Sequence, residues 1–140
     1  MDDLVQWLRA QLDDDERTAR AATEGPWSVD DDSYAEAIYA ADRRTTVVAG
    51  GRWGGEASVF ESTEDALHIA RHDPARVLRE IDAKRRLIAL HRELEDPQEM
   101  QDYCATCEVT GKYPEYPCKT LRLLALPYAD RPGYRDEWRP

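Results

Sequence analysis

The chain has 140 residues and a formal net charge of −10, with 29 acidic against 19 basic side chains. This length suits a single domain with a modest core. The negative charge disfavours nucleic acid as a partner, because phosphate contacts need Lys and Arg. We find no signal peptide and no apolar run long enough to cross a membrane, so we predict an acidic cytoplasmic protein without a membrane partner.

The first predicted element is an amphipathic helix over residues 2–23. Leu4, Leu8 and Leu12 recur at helical spacing and mark one apolar face. Gly25 and Pro26 end the helix. The acidic residues 13–16 fall on the opposite face, where we interpret them as solvated side chains and not as a cation site.

Residues 27–60 contain short β-prone runs separated by turn formers. These runs cover residues 27–29, 37–39, 46–48 and 57–60. They predict an antiparallel sheet of three or four strands. The glycine-rich residues 50–55 lack the Gly-Lys-Ser/Thr ending of a phosphate-binding loop and do not open a helix, so we interpret them as a hairpin turn.

Two helices are predicted over residues 62–94. Ser62 opens a capping box before the first, which continues through Arg71. Asp73 is the N-cap of the second and Pro74 its first residue, and this helix is expected to extend to Arg92 or Leu94. The exposed side of the second helix is basic, which indicates internal charge balancing, an acidic partner or contact with nucleic acid. Its basic residues are Arg76, Arg79, Lys84, Arg85, Arg86 and Arg92.

His68 and His72 are four residues apart and therefore share a helix face. A zinc protease would need a glutamate directly after the first histidine, but Ile69 occupies that position. The pair could still bind a divalent metal together with nearby carboxylates. We favour a structural role, in which the histidines bond the turn into Asp73 or pack under the next helix.

One stretch carries a specific chemical pattern, and its members are His91, Cys104, Cys107 and Cys118. The Cys-x-x-Cys turn can direct two thiolates at one cation, and its backbone N–H groups can support the sulfurs. Cys118 directly precedes a predicted helix over residues 119–126, whose N-terminus favours a thiolate. With His91 as the fourth ligand the set is Cys3His, a closed tetrahedral site typical of structural zinc. His68 or His72 are the alternatives for the fourth position.

Other interpretations of the cysteines remain open. A redox Cys-x-x-Cys normally begins a helix in a βαβ unit, which the residues before Cys104 do not indicate. The three thiols could also be unpaired, with Cys118 a small buried apolar residue. Metal binding is favoured because the loop over residues 95–117 has few aliphatic residues with which to offset the entropy of ordering it.

After the metal loop and last helix (residues 95–130), residues 131–140 form an aromatic tail. Tyr134 and Trp138, together with Tyr128, are predicted to pack back on the body of the protein, because they would otherwise leave a sizeable exposed apolar patch. The alternative is that they present this patch to a partner.

Several of these stretches resemble a known family. They are the opening Asp3-Leu4-Val5, residues 68–80, residues 83–86 with His91, Pro117-Cys118 leading into residues 120–130, and residues 134–138. They are similar to the actinobacterial and phage family catalogued as domain of unknown function 6221. Many of its members carry a histidine, a Cys-x-x-Cys and a Pro-Cys before the last helix, so the resemblance implies that the four candidate ligands belong together. It implies no activity.

We therefore predict an α+β fold in one domain over residues 1–140. A small antiparallel sheet of three to four strands packs with three to four helices, and a zinc ion holds the segments of the C-terminal region together. The predicted function is that of a zinc-binding interaction or regulatory module with a protein partner, and an enzymatic role is disfavoured. The alternatives are a metal-dependent enzyme using His68 and His72, and an acidic inhibitor that mimics nucleic acid.

Overall fold

The computed structural model describes residues 2–49, 60–95, 102–107 and 115–140. Its elements are α1 (Asp3–Ala21), β1 (Ser28–Val29), β2 (Ala37–Tyr39), β3 (Thr46–Ala49), α2 (Thr63–Arg71), α3 (Pro74–Leu90), β4 (Glu93–Leu94), β5 (Tyr103–Cys104) and α4 (Lys119–Ala125), followed by two 3-10 turns, Leu126–Tyr128 and Asp136–Trp138. Four helices and two small antiparallel sheets give the described part of the chain an α+β fold, as predicted.

The chain forms two compact units. The first unit comprises Met1–Asp14 and Ile81–Pro140, and the second comprises Asp15–Glu80. The single domain over residues 1–140 stays a prediction. None of the helices in the described residues is both long and apolar enough to cross a membrane.

The second unit contains the three-stranded sheet, in the order β1-β2-β3. Antiparallel pairing places Val29 opposite Ile38, and Ile38 opposite Val48. Ile38 is fully buried in a cluster with Phe60 and two alanines of α2, so the sheet and α2 share one apolar core. The glycine-rich residues 50–55 and most of the predicted fourth strand, residues 57–59, lie outside the described residues.

The turn between β1 and β2 depends on Asp30. Its Oδ1 accepts hydrogen bonds from the N–H groups of Glu36 at 2.9 Å and Ala37 at 3.0 Å. Burial opposes the charged form of this carboxylate, but backbone N–H groups, those of Ala37 and Glu36 foremost, together outweigh burial and lower the pKa of Asp30 from its ordinary value. The charged form therefore stabilises the folded state.

Replacing Asp30 with asparagine is expected to lower the free energy of unfolding at neutral pH by no more than about 1 kcal/mol, since the group is exposed to water. Because the folded pKa is depressed, the contribution of Asp30 is present above the unfolded pKa and is lost as pH falls through the folded value. Urea unfolding from pH 7 to pH 3 should show the difference between wild type and Asp30→Asn shrinking below about pH 4. A difference that grows on acidification would contradict this assignment.

Both predicted N-caps in the second unit are present. The Asp65 N–H donates to Ser62 Oγ at 3.2 Å at the start of α2. At the start of α3, Asp73 Oδ1 accepts from the Arg76 N–H at 2.8 Å. Asp73 Oδ2 also accepts from the backbone N–H of Trp27 at 2.8 Å. One buried carboxylate thus caps a helix and fixes the entry into β1.

In the first unit, the beginning of α1 packs into an apolar core. Leu4, Leu8 and Leu12 are fully buried, as the helical spacing predicted. The aromatic tail packs on the same helix, because the Trp7 ring lies 5.6 Å from Tyr134 and 5.5 Å from Trp138. The prediction that the tail folds back on the protein is thus confirmed.

The end of α3 differs from the prediction. The helix stops at Leu90, and Glu93 and Leu94 form strand β4, which pairs with β5 through Glu93↔Cys104 and Leu94↔Tyr103. Pairing with a distant backbone segment overrides the local helical preference of residues 91–94. His91 therefore lies in the turn directly after α3 and not inside the helix.

Candidate metal centre

Three segments of the chain bring the candidate ligands together in the first unit. His91 follows the last residue of α3, and its N–H donates to the Leu87 carbonyl at 3.0 Å. Cys104 lies in β5, Cys107 follows three residues later, and Cys118 is the N-cap residue of α4. Because β4 pairs with β5, the residues just after His91 lie beside Cys104.

The donor atoms surround one point. His91 Nδ1 lies 3.4 Å from the sulfur of Cys104, 3.3 Å from that of Cys107 and 3.5 Å from that of Cys118. All four donor atoms lie within 4.8 Å of one another. In a regular tetrahedron with Zn–S bonds of about 2.3 Å and a Zn–N bond of about 2.05 Å, nitrogen lies about 3.6 Å from each sulfur. The donor set thus fits a tetrahedral metal ion bound through Nδ1.

A hydrogen-bond network does not account for this arrangement. A neutral imidazole nitrogen carries either one hydrogen or one lone pair, and both lie in the plane of the ring. Nδ1 of His91 can therefore make one good hydrogen bond, whereas three sulfurs approach it at nearly equal distance. A cation between the four atoms satisfies all of them together.

The surroundings of the sulfurs also favour a cation. Burial alone would raise the pKa of Cys104, but hydrogen bonds from the backbone N–H groups of Thr106 and Cys107, with help from the neighbouring thiols, lower it. Burial, hydrogen bonds to the other two cysteines and their negative charges raise the pKa of Cys107 to about 12. Three thiolates at this spacing repel one another unless a cation lies between them.

The centre is closed to solvent on most sides. Cys104 is 0% exposed, Cys118 is 2% exposed and His91 is 9% exposed, while Cys107 is half-buried. The cysteine turn is tied to the segment around His91 by two hydrogen bonds. The Ala105 N–H donates to the Arg92 carbonyl at 3.0 Å, and the Thr106 hydroxyl donates to the Leu90 carbonyl. A tetrahedral ion bound by all four donors would have no open coordination position.

Sequence reasoning did not identify Thr106 or β4 as parts of this centre. The signal for Thr106 was its place inside the Cys-x-x-Cys turn, where a hydroxyl can reach a nearby carbonyl. Two-residue strands such as β4 and β5 give no periodicity that sequence reasoning could detect.

His68 and His72 lie on α2 and in its C-cap, in the second unit. Their rings are 4.3 Å apart, and His72 Nδ1 bonds the His68 carbonyl at 2.8 Å. Both side chains are exposed. The pair therefore bonds the end of α2 but does not pack beneath α3. In the described residues, no cluster of three or more potential metal ligands includes either histidine.

We expect His68→Gln and His72→Gln to leave the metal content of the purified protein unchanged. Each histidine is exposed and lies outside the His91 cluster, so its loss should alter stability by less than about 1 kcal/mol. Elemental analysis of each variant checks this, with His91→Gln as the matched histidine variant. Loss of metal from His68→Gln would show that the ligand set is wrong.

The basic side of α3 is partly neutralised. Arg85 pairs with Asp13 of α1 at 2.6 Å, and Arg86 pairs with Asp82 at 2.9 Å. These ion pairs favour the interpretation that the basic helix balances acidic residues of the same chain.

Comparison with known proteins gives one match. The family model described as "Family of unknown function (DUF6221)" matches residues 1–140, the whole chain. No curated protein and no solved structure matches the sequence. The interpretation of the centre therefore depends on its own geometry.

Proposed function

We propose, for a chain that belongs to the family of unknown function DUF6221, that the centre binds one zinc ion with a structural role. The chain is then a zinc-stabilised module that binds another protein, and not an enzyme. The ligands are His91, Cys104, Cys107 and Cys118, and the ion would fix the cysteine turn and α4 against the end of α3.

The near-equal distances from His91 Nδ1 to the three sulfurs support zinc above all. Soft thiolates select zinc, copper(I) or iron–sulfur clusters, and a tetrahedral Cys3His set is typical of zinc. A catalytic zinc keeps one position for water or substrate, whereas protein atoms fill all four positions here. The donor set thus supports a structural ion.

A protein partner is supported by the leucines on the elements that the ion would hold. Large apolar side chains that are exposed to solvent favour contacts with another protein. Within the described residues of the first unit, the exposed large apolar side chains are Leu87, Leu90, Leu123 and Leu126, which are 37% to 60% exposed. Leu90 directly precedes His91, and Leu123 and Leu126 follow Cys118 on α4 and the turn after it.

Cobalt(II) substitution tests the structural role directly. We expect the cobalt form to show the intense visible absorption of a tetrahedral site and the charge-transfer bands of thiolate ligands. Because all four positions are filled by the protein, added azide or imidazole should leave the spectrum unchanged. A spectrum that shifts with either ligand would reveal an open position and contradict a structural site.

A further inference from the structure

A small cleft lies in the first unit, on the side where α1, the end of α3 and the segment before Cys118 meet. Its volume is about 220 Å³, and Val5 and Ile88 form an apolar floor beside the ring of Tyr116. Val5 is 3% exposed and Ile88 is 2% exposed, so both belong to the core as well as to the floor. Sites for drug-sized ligands measure roughly 300–1,000 Å³. This cleft therefore suits a group about the size of one amino-acid residue.

Two arginines border the cleft, and neither has a partner for its charge among the residues that the structure describes. The guanidinium groups of Arg9 and Arg92 are exposed, and the described part of the chain provides neither with an ion pair or a hydrogen bond. The nearby Arg85 and Arg86, by contrast, are each paired with an aspartate. Among the described residues that line the cleft, Arg9 and Arg92 are basic and Glu93 is acidic, while the carboxylates of Asp102 and Asp2 lie near Glu93.

We propose that this cleft binds a carboxylate carried on a short apolar group. The carboxylate is held by Arg9 and Arg92, since guanidinium groups match planar carboxylates with paired hydrogen bonds. The apolar group lies on Val5 and Ile88. Free phosphate has no part that could use this floor, so it binds more weakly. The same chemistry occurs in a free branched aliphatic acid and in the last residue of a peptide that ends in leucine.

The inference rests on the proposed function in one respect. Arg92 directly follows the ligand His91, and Tyr116 precedes the ligand Cys118 by two residues. An ion bound by His91 and Cys118 would therefore fix the backbone on which both residues lie. The cleft identifies the chemical group that the module recognises on its partner.

Titration of the zinc-loaded chain with 4-methylpentanoate, followed by backbone amide NMR, tests the proposal. We expect shifts at residues of the cleft, and binding at least about tenfold weaker for the neutral 4-methylpentanamide and for inorganic phosphate. Arg9→Gln and Arg92→Gln should each weaken binding of the acid by about tenfold. Arg86→Gln is the control, because Arg86 is exposed but does not line the cleft, and it should bind as wild type does.

A second arm distinguishes the source of the carboxylate. The peptide Gly-Gly-Leu is titrated with a free and with an amidated C-terminus. Tighter binding of the free-acid peptide than of 4-methylpentanoate assigns the cleft to a protein C-terminus, and the reverse order assigns it to a small acid. Both outcomes support the carboxylate site.

The proposal would be overturned if 4-methylpentanoate and its amide bind equally well, or if both arginine variants bind the acid as wild type does. It would also be overturned if the acid causes no amide shifts in the zinc-loaded protein. Zinc content is measured on the same samples. If the zinc-loaded protein binds no acid, the cleft proposal is wrong and the structural zinc site is unaffected. If the protein binds the acid but contains no zinc, the cleft proposal holds and the proposed function is wrong.

Discussion

Cys107→Ser is expected to remove zinc from the purified protein and to lower its thermal midpoint by more than about 10 °C. Structural zinc supplies on the order of 10–16 kcal/mol of apparent binding free energy in zinc-finger peptides. Whole domains are stable by only about 5–15 kcal/mol. The described residues 102–107 and 115–118 should therefore lose their order when the metal is lost.

His91→Ala should have a milder effect than Cys107→Ser. Water can occupy the fourth position once the imidazole is gone, and three thiolates still hold the ion. We expect weaker zinc affinity, a smaller fall in the thermal midpoint and, in the cobalt form, a spectrum that now responds to azide. The comparison of these two variants separates a cation held by four donors from one held by sulfur alone.

Chelation of the wild type provides the independent measurement. A strong chelator should release about one zinc per chain and should lower the thermal midpoint to near that of Cys107→Ser. His68→Gln is the control that keeps its zinc, because this histidine lies outside the cluster. The structural role would be contradicted if the purified protein contains no zinc and the chelator leaves its thermal midpoint unchanged.

The candidate metal cluster could be predicted because its chemistry is local. Cys104 and Cys107 define a turn, and Cys118 precedes an apolar run of helical period, so three of its four members follow from short-range spacing. His91 followed less directly, since its position depends on where α3 ends. The sequence predicted a helix through Arg92 or Leu94, but the chain leaves the helix at Leu90.

The helix α3 ends early because the residues after it pair with a segment beyond the next loop, and short-range sequence patterns do not show such a contact. Glu93 pairs with Cys104, eleven positions away, and Leu94 pairs with Tyr103, nine positions away, in strands of only two residues. Such strands are too short to show alternation between apolar and polar residues. Trp7 raises the same difficulty, since its partners Tyr134 and Trp138 lie at the other end of the chain. The tail could be predicted to pack, but the surface it packs against could not.

Helix starts were predictable for the opposite reason, since a capping residue acts on groups within one turn. Asp73 accepts the N–H of Arg76, three residues ahead, as its place before Pro74 indicated. Its second hydrogen bond, to the N–H of Trp27, joins residues 46 positions apart and could not be predicted. Asp73 is only 6% exposed, so both interactions are largely shielded from water.

Asp73→Ala is expected to lower the free energy of unfolding by about 2–4 kcal/mol. Loss of the N-cap costs about 1 kcal/mol, and the Trp27 N–H, left without its acceptor, adds about 1–3 kcal/mol. Asp73→Ser separates the two, because a serine hydroxyl can cap α3 but is too short to serve Trp27 as well. The serine variant should recover about 1 kcal/mol in urea unfolding, while zinc content stays unchanged in both. If alanine costs less than about 0.5 kcal/mol, as for an ordinary surface position, Asp73 does not join β1 to α3.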